Sequence, residues 1–118
     1  MPRKFKRPIV YIAGPFRAAR ASQMAAHILT AQAAAVLLCR LGCSPYTPHA
    51  NLGHGFGHIR EATASAVNDA FLSVAEAIYL LPGWRQSVGT LAEVETAMRL
   101  GLPRLQSPAE VRVWRKQR

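Results

Sequence analysis

Apolar positions along the chain fall into short dense runs that alternate with longer, more widely spaced stretches. Residues 8–13, PIVYIA, form an apolar run with β-branched residues and a tyrosine, which predicts a strand closed by Gly14-Pro15. A loop over 16–20 follows. An Ala-rich helix is then expected from about residue 23 to 41, carrying Ile28, Leu29, Val36, Leu37 and Leu38. Ser22 is placed to cap that helix and Gly42 to end it. Residues 43–47 read as a second strand stopped by Pro48, and 49–58 as a Gly- and His-rich loop. A second helix spans 60–75, with Val67, Phe71, Leu72 and Val74 as its apolar side. Residues 79–81 are too few for a helix and suit a buried strand, which Pro82-Gly83 terminates. A loop to Gly89 leads into a helix over 90–100 with Leu91, Val94, Ala97 and Met98 on one side. Gly101 and Pro103 close that helix. A short fourth strand at 103–105 and a last helix from Ser107-Pro108 through 109–116 complete the pattern.

Strands alternating with helices argue for a small doubly wound α/β sandwich with a parallel sheet. In such a sheet the loops at the carboxyl ends of the strands hold the ligand. No internal repeat interrupts the pattern, and 118 residues suit one domain, 1–118, with a basic tail at 1–7 and a basic helix at 108–118. The nucleotide fingerprint G-x-G-x-x-G and the Walker lysine are both missing after the first strand.

Charge changes the picture most. Lys and Arg number 15 against 6 Asp and Glu, a net charge of +9, so anionic partners are expected: a phosphorylated small molecule or nucleic acid. Half the residues are hydrophobic, which excludes disorder as the default. No apolar run reads as membrane-spanning and no secretory h-region follows the basic start, so no membrane partner and a cytoplasmic location are expected. Cys39 and Cys43 read as two small buried residues rather than a disulfide or a zinc site. His49, His54 and His58 sit among flexible glycines at spacings that match no standard metal site, so no metal and no cofactor are expected.

The carboxylates carry the candidate chemistry. Glu93 falls in the first turn of its expected helix, where free N–H groups and the helix dipole favour an ionised carboxylate fit to act as a nucleophile. Thr90 and Glu93 also have the S/T-x-x-E spacing of a capping box, which serves the helix alone. Asp69, alone on its helix, is by itself an ordinary solvated charge.

Taken together, VYIAGPFRA, the helix with Asp69, and LLPGWRQSVGTLAEVETA resemble the nucleoside 2-deoxyribosyltransferase superfamily. They look most like its small DUF4406-type members and the 2′-deoxynucleoside 5′-phosphate N-hydrolases, over about residues 8–103. The resemblance implies a flavodoxin-like three-layer fold with a four- or five-stranded parallel sheet. It implies an N-glycosidase acting on (deoxy)nucleoside 5′-monophosphates, with Glu93 as nucleophile, Asp69 facing the leaving base and Tyr11 positioning nucleophile and sugar. Ser87, six residues before Glu93, stands where the transferases carry an aspartate that grips the sugar 5′-hydroxyl. A hydroxyl there, with the N–H groups of Val88 and Gly89, suits a phosphate. Arg17 matches an arginine of the hydrolases, and Arg85 lies nearby. Gly14, Pro15, Phe16, His49, Gly83 and Trp84 complete the substrate-binding set that the likeness implies.

Two alternatives stay open: base exchange on deoxynucleosides, and a binding module for a nucleotide or nucleic acid without chemistry. Departures are present as well. Pro15 stands where the phosphate hydrolases have a serine, and Glu95 where many relatives have a glycine. If both faced inward, Glu95 would raise the pKa of Glu93, although residues two apart on a helix point differently. Relatives are often oligomers with sites completed by a partner subunit, so a homodimer or higher oligomer is expected.

Overall fold

In the computed structural model, which describes residues 5–16, 18–49 and 58–118, four strands form one parallel sheet. They are β1 Ile9–Ala13, β2 Ser44–Tyr46, β3 Ala77–Leu80 and β4 Arg104–Leu105, in the order β2-β1-β3-β4. Each lies close to its expected place, and every pairing is parallel, with Tyr11 opposite Tyr46 on one side and Ile78 on the other. Among the described residues, three α-helices connect them, α1 Ala21–Arg40, α2 Glu61–Val74 and α3 Val88–Arg99, and a fourth, α4 Pro108–Gln117, follows β4.

Alternation along the central strands divides the interior into two cores. Val10, Ile12, Ala77, Tyr79 and Leu81 face α1 and α4, where Leu38 and Val111 meet them. Tyr11, Ala13, Ile78 and Leu80 face α2 and α3, where Leu72, Val94 and Ala97 meet them. The result is a three-layer α/β/α fold, as the pattern of strands and helices predicts. Trp114 packs back against the first core.

Several local expectations are corrected. Helix α1 begins at Ala21, its N-cap is Arg20 with no side-chain cap, and Ser22 lies inside the helix. That helix is long and apolar enough, by length and composition only, to cross a membrane, although the sequence reading found no such run. Here its Ala31, Ala34 and Leu38 pack on the sheet while Leu29 and Val36 are exposed. Leu91 and Met98 on α3 and Phe71 and Val74 on α2 are also exposed, because each helix touches the sheet along a narrower stripe than its apolar spacing suggests. Cys43 is buried, but Cys39 is exposed at the end of α1. Arg7 donates from one guanidinium nitrogen to the carbonyls of both Cys39 (2.7 Å) and Cys43 (3.1 Å). Arg115 donates to the Leu41 carbonyl at 3.3 Å. Part of the basic excess is thus spent on the carbonyl end of α1, where cations belong.

Candidate functional site

The loops at the carboxyl ends of β1, β2 and β3 converge with the N-terminus of α3 and one face of α2. Between them lies a cleft of about 710 Å³, within the usual range for small-molecule sites. Two glycines permit its shape. A Cβ on Gly14 would lie 2.6 Å from the Leu81 side chain, so only glycine lets the β1 loop approach β3 so closely. Gly83 has φ +83°, a left-handed conformation that turns the chain from β3 into the 3₁₀ turn Trp84–Gln86.

Helix α3 starts one turn earlier than the capping-box reading requires. Ser87, not Thr90, is the N-cap, and its hydroxyl accepts from the Thr90 N–H at 3.3 Å. The Thr90 hydroxyl donates to the same oxygen at 2.8 Å. Glu93 therefore sits in the second turn, and Thr90 and Glu93 form no capping box. The dipole argument for its ionisation weakens accordingly, since that field falls off within the first turn.

What surrounds Glu93 replaces it. Tyr11, fully buried on β1, donates its hydroxyl to the Glu93 carboxylate. Glu93 is only partly accessible, and burial pushes its carboxyl up to about 7. The Tyr11 hydrogen bond pulls it back down, and the charge of Asp69 pushes it further up. Burial, followed by the Glu93 charge, holds the Tyr11 phenol well above its ordinary value, so it stays protonated and donating. Glu95, by contrast, is exposed and pairs with Arg99 one turn on at 3.1 Å. It takes no part in the Glu93 shift.

Asp69 and Glu93 both line the cleft, from α2 and α3 respectively. Gly14, Pro15, Phe16, His49, Gly83, Ser87 and Gly89 line it too. His49 is buried, and its Nε2 lies 2.8 Å from the Pro15 carbonyl. A carbonyl only accepts, so Nε2 carries the proton and the imidazole ties the β2 loop to the β1 loop. Burial also pushes its pKa down, which keeps it neutral. Trp84 is not among the residues lining this cleft. It packs on the second core, carries the Arg85 guanidinium 4.8 Å from its ring centroid, and lines a separate hollow of about 290 Å³ with Arg85 and Gln106. Arg17 and His54 lie outside the described residues.

The sequence reading missed one wall. Glu61, Ala64, Ser65 and Asn68 line the cleft beside Asp69, and Ala92 and Thr96 do so beside Glu93. Both sets follow helical spacing, 61-65-68 and 89-92-93-96, and each marks the face that α2 or α3 turns to the cleft. Small and polar residues on one helix face were the available signal.

The parallel α/β domain thus presents two carboxylates in a crevice at the carboxyl ends of its strands, one of them desolvated and hydrogen-bonded to a tyrosine. The family model described as "Domain of unknown function (DUF4406)" matches residues 8–105, and the chain belongs to that family. No curated protein matches it.

Proposed function

We propose that this protein is an N-glycosidase of (deoxy)nucleoside 5′-monophosphates, related to the nucleoside 2-deoxyribosyltransferases. The carrying observation is Glu93: a carboxyl raised to about 7, held by the Tyr11 hydroxyl and sharing a cleft with Asp69. A desolvated carboxylate is a stronger nucleophile than a hydrated one, and at neutral pH a large share of it is ionised. Its oxygen attacks C1′ of the sugar, and the C1′–N bond breaks with its electron pair passing to the base. The base takes up a proton, which Asp69 helps to deliver or which it orients the base to receive. The resulting glycosyl ester is then cleaved by water at C1′, releasing Glu93 and the sugar phosphate. The Tyr11 phenol steadies the carboxylate before attack and again as it leaves.

The phosphate end is supported by the start of α3. The Ser87 oxygen accepts from Thr90, which leaves its own proton to donate outward. The first-turn N–H groups of Val88 and Gly89 have no partner within the helix, and both residues line the same cleft. The exposed side chains of Leu29 and Val36 on α1, and of Leu91 and Met98 on α3, are surfaces for a second copy to cover in a homo-oligomer.

Incubation with a panel of nucleoside monophosphates, scored for free base, tests the reading. Base release that falls by about 10⁴- to 10⁶-fold in Glu93→Gln, the range for loss of one member of a covalent catalytic set, supports it. In the native enzyme the rate rises as pH passes through about 7, because the attacking form is the ionised one. Unchanged turnover in Glu93→Gln rejects the assignment. Appearance of a swapped nucleoside when a foreign base is added to a deoxynucleoside assigns the transferase reaction instead.

A further inference from the structure

The two basic ends of the sequence meet in the fold. Helices α1 and α4 both run back to the amino ends of the strands, and the segment before β1 is tied to both. Arg7, ahead of β1, donates to the Cys39 and Cys43 carbonyls, and Arg115 of α4 donates to the Leu41 carbonyl. Arg118 reaches the Phe5 carbonyl and the Glu76 carboxylate. Three guanidinium groups from opposite ends of the chain therefore gather beside the end of α1, all within electrostatic range of Cys43. With them come Lys6, Arg40, Arg112 and Lys116, which are exposed and have no ion pair among the described residues. Arg112 and Lys116 lie one turn apart on the same side of α4. Glu76, the acid at this end, is already matched by Arg118. Three of the six acids, Glu61, Asp69 and Glu93, line the cleft at the opposite end of the sheet. The fold thus separates charge that the sequence shows only as a net excess.

Four uncompensated cations beside three arginines attract a polyanion. The chemistry of the face favours nucleic acid over an anionic membrane. A helix that lies on a membrane needs a free apolar side. On α4 that side is taken, because Val111 and Trp114 pack on the core. Five of the seven cations are arginines, whose planar forks match phosphate oxygens in pairs. Arg7 and Arg115 are already held against carbonyls, so part of the face is ordered before a phosphate arrives. We propose that this face is a docking surface for the phosphodiester backbone of a nucleic acid. Phosphate contacts fix position without reading bases, so binding there is independent of sequence. The inference does not depend on the glycosidase reading, since none of these cations lines the cleft.

The test follows the anisotropy of a short fluorescein-labelled DNA duplex as the full chain is added, at salt concentrations from about 50 to 200 mM. Each phosphate contact contributes about −0.9 to the slope of log K against log salt, so the four free cations predict a slope of about −3.6. Affinity then drops by about 100-fold across that range. Arg40→Gln and Lys116→Gln each reduce the slope by about 1 and weaken two duplexes of unrelated sequence equally. Both side chains are exposed, so the substitutions leave the fold and the cleft as they are. Glu93→Gln keeps the full slope. No binding at the lowest salt, a slope near zero, or a slope that both substitutions leave intact overturns the proposal. Loss of duplex binding in Glu93→Gln would put the nucleic acid in the cleft and overturn it as well. Binding to phosphatidylserine vesicles without binding to the duplex would assign the face to a membrane, against the proposal.

Discussion

The two ends of the sheet treat a sheltered carboxylate in opposite ways. At the amino end, Glu76 precedes β3 and is gripped by Arg118, with Nε on one carboxylate oxygen at 2.8 Å and a terminal nitrogen on the other at 2.7 Å. The Phe5 N–H adds a third contact at 3.4 Å. Both side chains are about nine-tenths buried, at 10% and 12% exposure. At the carboxyl end, Glu93 has the Tyr11 hydroxyl, no ion pair with a cation among the described residues, and the negative Asp69 across the same cleft. The first arrangement neutralises the charge and ties chain segments together. The second leaves the charge expensive, and that cost is what the proposed chemistry would draw on. In a chain of net charge +9, a sheltered carboxylate with no ion pair among the described residues stands out.

Substitutions sharpen the contrast. Glu76→Ala leaves Arg118 with an uncompensated buried charge and is expected to cost about 3 kcal/mol of stability, read as a lower midpoint in denaturant. Glu93→Gln is expected to do the reverse at alkaline pH. The folded carboxyl titrates near 7, above the ordinary 4.5, so the native state holds a proton that the unfolded chain has already released. Stability from this group is full below about pH 4.5, declines as pH rises, and is lost above about 7. Glutamine cannot ionise and escapes the loss. Glu93→Gln should therefore exceed the native protein by about 2 kcal/mol at pH 8 and match it at pH 4, measured by denaturant melts at both pH values. A variant less stable at pH 8 would place the carboxylate among stabilising contacts and erase the difference between the two ends. The smallest effect belongs to Ser87→Ala. Loss of the N-cap costs about 1 kcal/mol, and turnover of monophosphates falls while that of unphosphorylated nucleosides holds.

The fold was legible in the sequence because its signals are local. Short β-branched runs such as residues 8–13, broken by Gly-Pro or Pro-Gly, have no other good reading, and their alternation with helices leaves little choice of architecture. The helix start at Ser87 was less so. Ser87 and Thr90 both carry a capping side chain, and only the path of the loop decides between them. That shift of one turn moved Glu93 away from the dipole and made burial, not helix position, the cause of its pKa. The Tyr11 hydrogen bond and the Asp69 charge come from residues 82 and 24 positions away, which no local pattern reports. For the same reason Asn68 went unremarked: only the fold sets it on the cleft wall, with Tyr46 of β2 against it.

The central claim is that the Glu93 carboxyl is withdrawn from water and held against the Tyr11 phenol, with its pKa near neutrality. Titration of that carboxyl by ¹³C NMR, with Glu93→Gln to assign its signal, tests this most directly. A midpoint at about 7 that rises further in Tyr11→Phe is the result the account predicts. A midpoint in the ordinary range near 4.5, indifferent to Tyr11, would contradict it.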